Sequence, residues 1–191
     1  MQRHPGAKIV REGVTLADGV VEGQVQLLEG RGDAGLLVRV NRATRGVDAL
    51  EAYNINLKAG LLRLGKHQHN WRQLVAVPAP IVVGRWHTLR VAVEGGRIRI
   101  WLDDASEPQI DYTDPAPLAP GGVGFRTYQV SAAVRHLRLI QGESVQTLPL
   151  EFAQPAGKLE DLANGEDAPA RRALADLCKL LMNLNEFVYV D

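Results

Sequence analysis

Apolar and polar positions alternate with a period of two from residue 8 to residue 140, and the alternation is broken by Gly, Pro and Asp. This pattern predicts strands at 8–10, 20–28, 35–41, 52–58, 61–66, 71–77, 87–94, 97–103, 122–128 and 133–140. Short strands at roughly ten-residue spacing, with turn signals between them, read as an all-β sandwich. The stretch GRWHTLRVAVEGGRIRIWLDD, residues 84–104, shows the logic. Leu89, Val91 and Val93 alternate with Arg90 and Ala92, while Ile98, Ile100 and Leu102 alternate with Arg97, Arg99 and Trp101. Each strand thus has one apolar face, as a half-buried antiparallel sheet requires. Gly95 and Gly96 supply the positive φ of a two-residue hairpin turn. Trp101 falls on the polar face, as an exposed platform or as a ring covered by the arginine stems or by a C-terminal helix.

The period changes after residue 142. Residues 143–168 contain Gly, Pro and acids and read as a linker or a poorly packed connection. The run DAPARRALADLCKLLMNLNEF follows. Asp167 can cap a helix, Pro169 suits its first turn, and Leu174, Leu177, Leu181 and Leu184 recur at helical spacing. The expected organisation is a sandwich over 1–142, a linker over 143–168, and a C-terminal helix and tail over 169–191. The leucine stripe must pack on the sandwich, on a second copy or on another domain.

Charge and cysteine narrow the function classes. The 22 basic residues offset 22 acidic ones, so the chain lacks the general pull on phosphate backbones that nucleic-acid binding needs. The apolar runs are too short to span a bilayer. Cys178 stands alone, which excludes an internal disulfide and a cysteine-rich zinc site; on the helix's apolar side it reads as core. The N-terminus MQRHPGAKIVREG has no apolar signal region, so a cytoplasmic protein is expected if Met1 is the true start.

The strands carry a family likeness. AGLLVRV at 34–40, AYNINLKAGLLRLGK at 52–66, the 84–104 hairpin, GGVGFRT at 121–127 and the following VRHLRLI resemble the concanavalin A-like lectin/glucanase superfamily. The closer likeness is to laminin-G-like and 3-keto-disaccharide-hydrolase-like domains of bacteria. It implies a jelly-roll β-sandwich over about residues 20–140, with Trp86 packed in the core at a strand start. The superfold hosts lectins, glycosidases and interaction modules, so it leaves activity open. The tail ALADLCKLLMNLNEFVYVD resembles the end of planctomycete-type cytochrome c multidomain proteins. That likeness implies the last part of a longer, periplasmic or exported protein. No Cys-x-x-Cys-His motif is present, so no haem is assigned here and no cofactor is expected.

Candidate chemistry follows from residue types. The retaining glucanases of this superfamily carry Glu-x-Asp-x-x-Glu on one strand, and the reaction needs two carboxylates about 5 Å apart. This chain has no such motif; Glu22, Glu29, Asp48 and Glu51 are scattered. His67 and His69 form His-x-His, a possible metal pair without an identifiable third ligand, and read better as a polar strand end. Asp103 and Asp104 read as a turn pair, since calcium needs six to eight oxygens. The tripeptide Arg31-Gly32-Asp33 reads as a turn. No metal site is assigned.

Sugar recognition has more support. Sugars stack on aromatic planes and take hydrogen bonds from Asn, Arg and His. Trp71 with His67, Asn70 and Arg72 offers such a mixture, and Arg39, Asn41, Tyr53, Asn56 and Arg126 are polar positions on strands that need a wet groove. The expected function is a non-catalytic carbohydrate-binding or interaction module of a larger polysaccharide-processing protein. One alternative is a 3-keto-glycoside hydrolase-type enzyme with His67, His69 or Glu51 as base. The other is a structural docking domain that uses its helix as the contact.

Overall fold

A computed structural model describes residues 6–148 except Arg45 and Val47, with the side chain of Glu12 also left out. The expected C-terminal helix with Cys178, the tail and most of the expected linker lie outside the described residues. Twelve strands follow in order: β1 (Gly6–Leu16), β2 (Gly19–Leu27), β3 (Asp33–Asn41), β4 (Glu51–Lys58), β5 (Leu61–Gln68), β6 (Trp71–Pro78), β7 (Trp86–Glu94), β8 (Arg97–Leu102), β9 (Ile110–Thr113), β10 (Gly121–Tyr128), β11 (Ala132–Gln141) and β12 (Ser144–Thr147). They form two six-stranded sheets, one ordered β1-β10-β3-β4-β5-β6 and the other β12-β11-β2-β7-β8-β9. Every pairing is antiparallel. The chain is an all-β sandwich consistent with a jelly roll, and no helix among the described residues is long and apolar enough to cross a membrane.

The alternation in sequence becomes the core between the sheets. Val21, Val25, Leu27, Leu89, Val91, Val93, Ile98 and Ile100 point inward from one sheet. They meet Leu36, Val38, Ile55, Leu57, Leu62, Leu64, Val123 and Phe125 from the other. The β7–β8 hairpin turns at Gly95 (φ +55°), and Gly96, expected to share the positive φ, does not take it.

The strands differ from the expected set in three places. β1 runs well beyond 8–10 because Gly13, at φ +67°, lets the strand bulge and resume pairing at Leu16. β9 was not expected: of its four residues only Ile110 is buried, too short an apolar signal to register. β12 lies inside the stretch expected to be a linker and is exposed along its length, so it has no alternation to read, yet it pairs with β11 from Arg138 to Gln141. Trp86, expected in the core, instead lies on the outer face of its sheet under Arg135, whose guanidinium is 4.1 Å from the ring. Trp101, expected on the polar face, is covered there by Arg90 and Arg99.

The β1-β10-β3-β4-β5-β6 sheet is unusual on its outer side. β3 is buried on both faces except at its last residue. The cause is a second, smaller apolar cluster of Leu37, Val40, Leu50 and Ala52, onto which Val10 and Ala43 pack. The β3–β4 loop thereby folds over the outer face and walls off one end of it. Lys8 fastens that loop, since its ammonium donates to the carbonyls of Thr44, Gly46 and Ala49.

Candidate functional site

Strand register brings the polar residues of this outer face into rows. Lys8, Arg126, Gly35, Asn56 and Arg63 are successive register partners across β1, β10, β3, β4 and β5. Period two then puts Tyr128 and Asp33, themselves partners, on one side of that row. On the other side it puts Asn54 with Gly65, and beyond them His67 with Trp71. Between these rows lies a depression of about 220 Å³ lined by Asp33, Asp48, Asn56, Arg63, Trp71, Arg126 and Tyr128.

Small residues make the floor and long ones the walls. A Cβ on Gly65 would come within 2.3 Å of Trp71 Nε1, so the indole lies directly over that glycine. Arg63 faces the indole at 5.3 Å and donates from Nη2 to Asp33 Oδ2 at 2.6 Å. Arg126 stands between the two acids, with Nη1 3.6 Å from Asp33 Oδ1 and Nη2 donating to Asp48 Oδ1. Its guanidinium also lies 5.1 Å from the Tyr128 ring. Two arginines thus alternate with two aspartates, and the pocket carries no net charge.

Several polar atoms here are buried without a hydrogen-bond partner among the described residues: Asp33 Oδ1, Asn54 Oδ1, Asn56 Oδ1, Arg63 Nε, His67 Nδ1 and Trp71 Nε1. Four of those residues line the depression itself. Buried polar atoms are ordinarily satisfied, and leaving one unsatisfied costs about 1–3 kcal/mol. Their concentration at one place is the feature of this surface that calls for a ligand. Burial holds the Asp33 carboxyl above its ordinary pKa although Arg63 and Arg126 oppose the shift. Burial, aided by Arg126 and opposed by Asp48, drives His67 down to about 4. Asn54 Nδ2 lies 3.3 Å from His67 Nε2, and donation there leaves the ring proton on Nδ1, facing Asp48 at 3.7 Å.

Of the residues expected at a sugar site, Asn56, Trp71 and Arg126 line this depression and His67 lies at its margin. The others are placed elsewhere. Tyr53 points inward, fully buried, and donates to Asp114 Oδ2 at 2.7 Å, so it has no face for a ligand. Arg39 has a left-handed backbone (φ +53°) where β3 slips register, and its buried guanidinium ties together the carbonyls of Ala17 and Leu118 and the Asp18 carboxylate. Asn41 bridges the carbonyls of Arg39 and Ala119. Arg72 is the register partner of the inward-facing Lys66 and so lies on the face opposite Trp71. Asn70 and His69 are exposed in the β5–β6 turn, with His69 at φ +63°. The turn therefore separates His69 from His67, and the two imidazoles do not form a pair. Glu51 pairs with Arg42 at 3.1 Å. The candidate bases His67, His69 and Glu51 are not brought together over the pocket. Asp103 caps Thr88 N and bonds His87 Nδ1 at 2.9 Å. Among the described residues no group of three or more His, Cys, Asp or Glu could hold a metal ion.

Asp33, Arg63, Asp48 and Tyr128 line the depression without being among the residues expected there. Tyr128 and Arg63 had a signal: Tyr128 is two residues from Arg126 on one strand, and Arg63 interrupts the leucines of β5 two residues before Gly65. Asp33 was hidden in a turn-like tripeptide, and nothing local places Asp48.

No protein-family model and no curated protein sequence matches the chain. Solved structures do. The carbohydrate-binding module CBM66 from Bacillus subtilis superposes with a TM-score of 0.63 at 22% identity, over 73% of this chain and 84% of that one. A protein of unknown function with a galectin-like fold, also from Bacillus subtilis, gives 0.56 at 14% identity, over 74% and 80%. A congerin II double mutant gives 0.51 at 12% identity, over 70% and 98%. At these identities the likeness is one of fold, a two-sheet antiparallel sandwich consistent with a jelly roll.

Proposed function

We propose that the chain is a non-catalytic carbohydrate-recognition module that holds a sugar unit against the outer face of the β1-β10-β3-β4-β5-β6 sheet. The observation that carries this reading is the set of unsatisfied buried atoms at the depression, acceptors from Asp33 and Asn56 and a donor from Arg63, beside the Trp71 indole wall. A sugar ring offers hydroxyls that both donate and accept, with an apolar face for the indole. The balance of two arginines against two aspartates favours an uncharged ring. The name of the similar CBM66 structure, a carbohydrate-binding module, supports the same reading.

The hydrolase alternative, which follows the 3-keto-disaccharide-hydrolase likeness, needs a base over the pocket. His67 is closed off and weakly basic, His69 is exposed in the β5–β6 turn, and Glu51 pairs with Arg42. Incubation with a panel of plant and algal polysaccharides and 3-keto-glycosides, following both protein depletion and released sugar, tests the proposal. Depletion without product is expected, and Trp71→Ala and Arg63→Ala should each weaken retention about tenfold, the loss of one charge-assisted contact in the case of Arg63. Released sugar, or retention indifferent to both substitutions, would overturn it.

A further inference from the structure

The other sheet has a depression of its own, on its outer face and built on different chemistry. It encloses about 330 Å³ and is lined by Glu22, Gly23, Gln24, Thr88, His136 and Arg138. A bulge in β11 opens it. Pairing of β11 with β2 breaks between Arg135 and Arg138, and His136 takes a left-handed backbone there (φ +54°). Such a backbone is uncommon for a residue other than Gly, and strained bulges recur where a strand is re-aimed toward a ligand.

Cations outnumber anions around this opening. Glu22 is shared by two guanidiniums, Arg138 at 2.6 Å and Arg90 at 3.3 Å. Arg135 donates from Nε to Gln24 Oε1 at 2.8 Å and, among the described residues, pairs with no carboxylate. Arg138 lines the depression beside Glu22, and Arg90 and Arg135 flank it, so three arginines stand around one acid. Indoles lie against two of these guanidiniums: Trp86 is 4.1 Å from Arg135, and Trp101 is 4.8 Å from Arg90. Each guanidinium has five N–H donors, and the bonds found use only part of that capacity. Fixed, under-used donors with surplus charge suit an oxyanion, because little ordering remains to be done on binding.

We propose that this depression is a second binding site, for a carboxylate or sulfate group. The full chain would be titrated calorimetrically at about 20 mM salt, where screening is weak. The probes are oligogalacturonate, its methyl-esterified neutral form and inorganic sulfate. Oligogalacturonate should bind and its ester should not. Arg138→Gln or Arg90→Gln should weaken binding about tenfold. Glu22→Gln should strengthen it severalfold, because it removes the acid that competes for both guanidiniums; a merely structural role for Glu22 predicts the opposite sign. Arg63→Ala, in the first pocket, should leave it unchanged, so failure of this site and failure of the sugar site are separable. Sulfate that displaces oligogalacturonate with the same dependence on Arg138 would assign the site to the anionic group itself, whatever carries it. Absence of saturable binding, binding indifferent to both arginine substitutions, or binding abolished by Arg63→Ala would overturn the proposal.

Discussion

His67 lies fully buried against Asn54, with Asp48 and Arg126 close by, and its pKa falls to about 4 where an unfolded histidine titrates near 6.5. The folded protein therefore leaves His67 neutral over an interval in which the unfolded chain takes up a proton. Linkage gives the sign: this histidine's contribution is complete above pH 6.5 and is lost as pH falls toward 4. At 1.36 kcal/mol per pH unit the loss across that interval is about 3 kcal/mol. Urea unfolding of the parent chain and of His67→Gln, at steps between pH 7 and pH 4, should show a steeper fall for the parent; parallel curves would refute the assignment. The same residues show what sequence disclosed of the site and what it withheld. Asn56, Trp71 and Arg126 were legible as polar or aromatic interruptions of apolar strands. Tyr53 was misplaced although parity argued against it: three positions from Asn56 on one strand, it must face the other way. Arg39 was misplaced for a reason parity does not contain, because a register slip and a left-handed backbone turn its side chain to the sandwich's end.

Among the elements, the β3–β4 loop has the most influence on the first pocket. It brings Asp48 to Arg126 and is fastened by Lys8, whose ammonium is desolvated by the contact and has its pKa lowered. Lys8 lies outside the pocket's lining, so its effect on a ligand must pass through the loop. Lys8→Met keeps the stem that packs on the sheet and removes the three bonds to loop carbonyls. Amide exchange at Thr44 and Ala49, which bond within the loop, should quicken about tenfold, the worth of one bond from a charged group. Affinity for a retained sugar should fall severalfold while exchange in β7 and β8 stays unchanged; exchange unaltered at Thr44 and Ala49 would show that the apolar cluster alone holds the loop. No feature of residues 42–50 in sequence announced this closure. Strand existence was legible because alternation is a local signal, and β7 and β8 were read nearly residue for residue. β9 and β12 were not, since four-residue strands paired along one edge have too few inward positions to show a period.

At the scale of the whole molecule, the two sheets share a core and present opposite outer faces, each with its own depression. Asp33, Asp48, Arg63 and Arg126 balance in one lining, while Arg90, Arg135 and Arg138 stand around Glu22 at the other. The two linings have no residue in common. Sites without shared partners contribute independently to stability. A neutral saccharide retained by the first face and oligogalacturonate on the second should each raise the melting temperature, since a ligand at a hundred times its Kd adds about 2.7 kcal/mol. For a domain of this size that corresponds to a rise of several degrees. With both present the two rises should sum, and Trp71→Ala should remove only the first while Arg138→Gln removes only the second. A combined shift no larger than the greater single shift would mean that the ligands compete, which places both in one depression and leaves the arginine-rich face as an ordinary solvated surface. Additivity would instead make this sandwich a bridge, holding an uncharged sugar on one side and an anionic group on the other through a core that neither ligand touches.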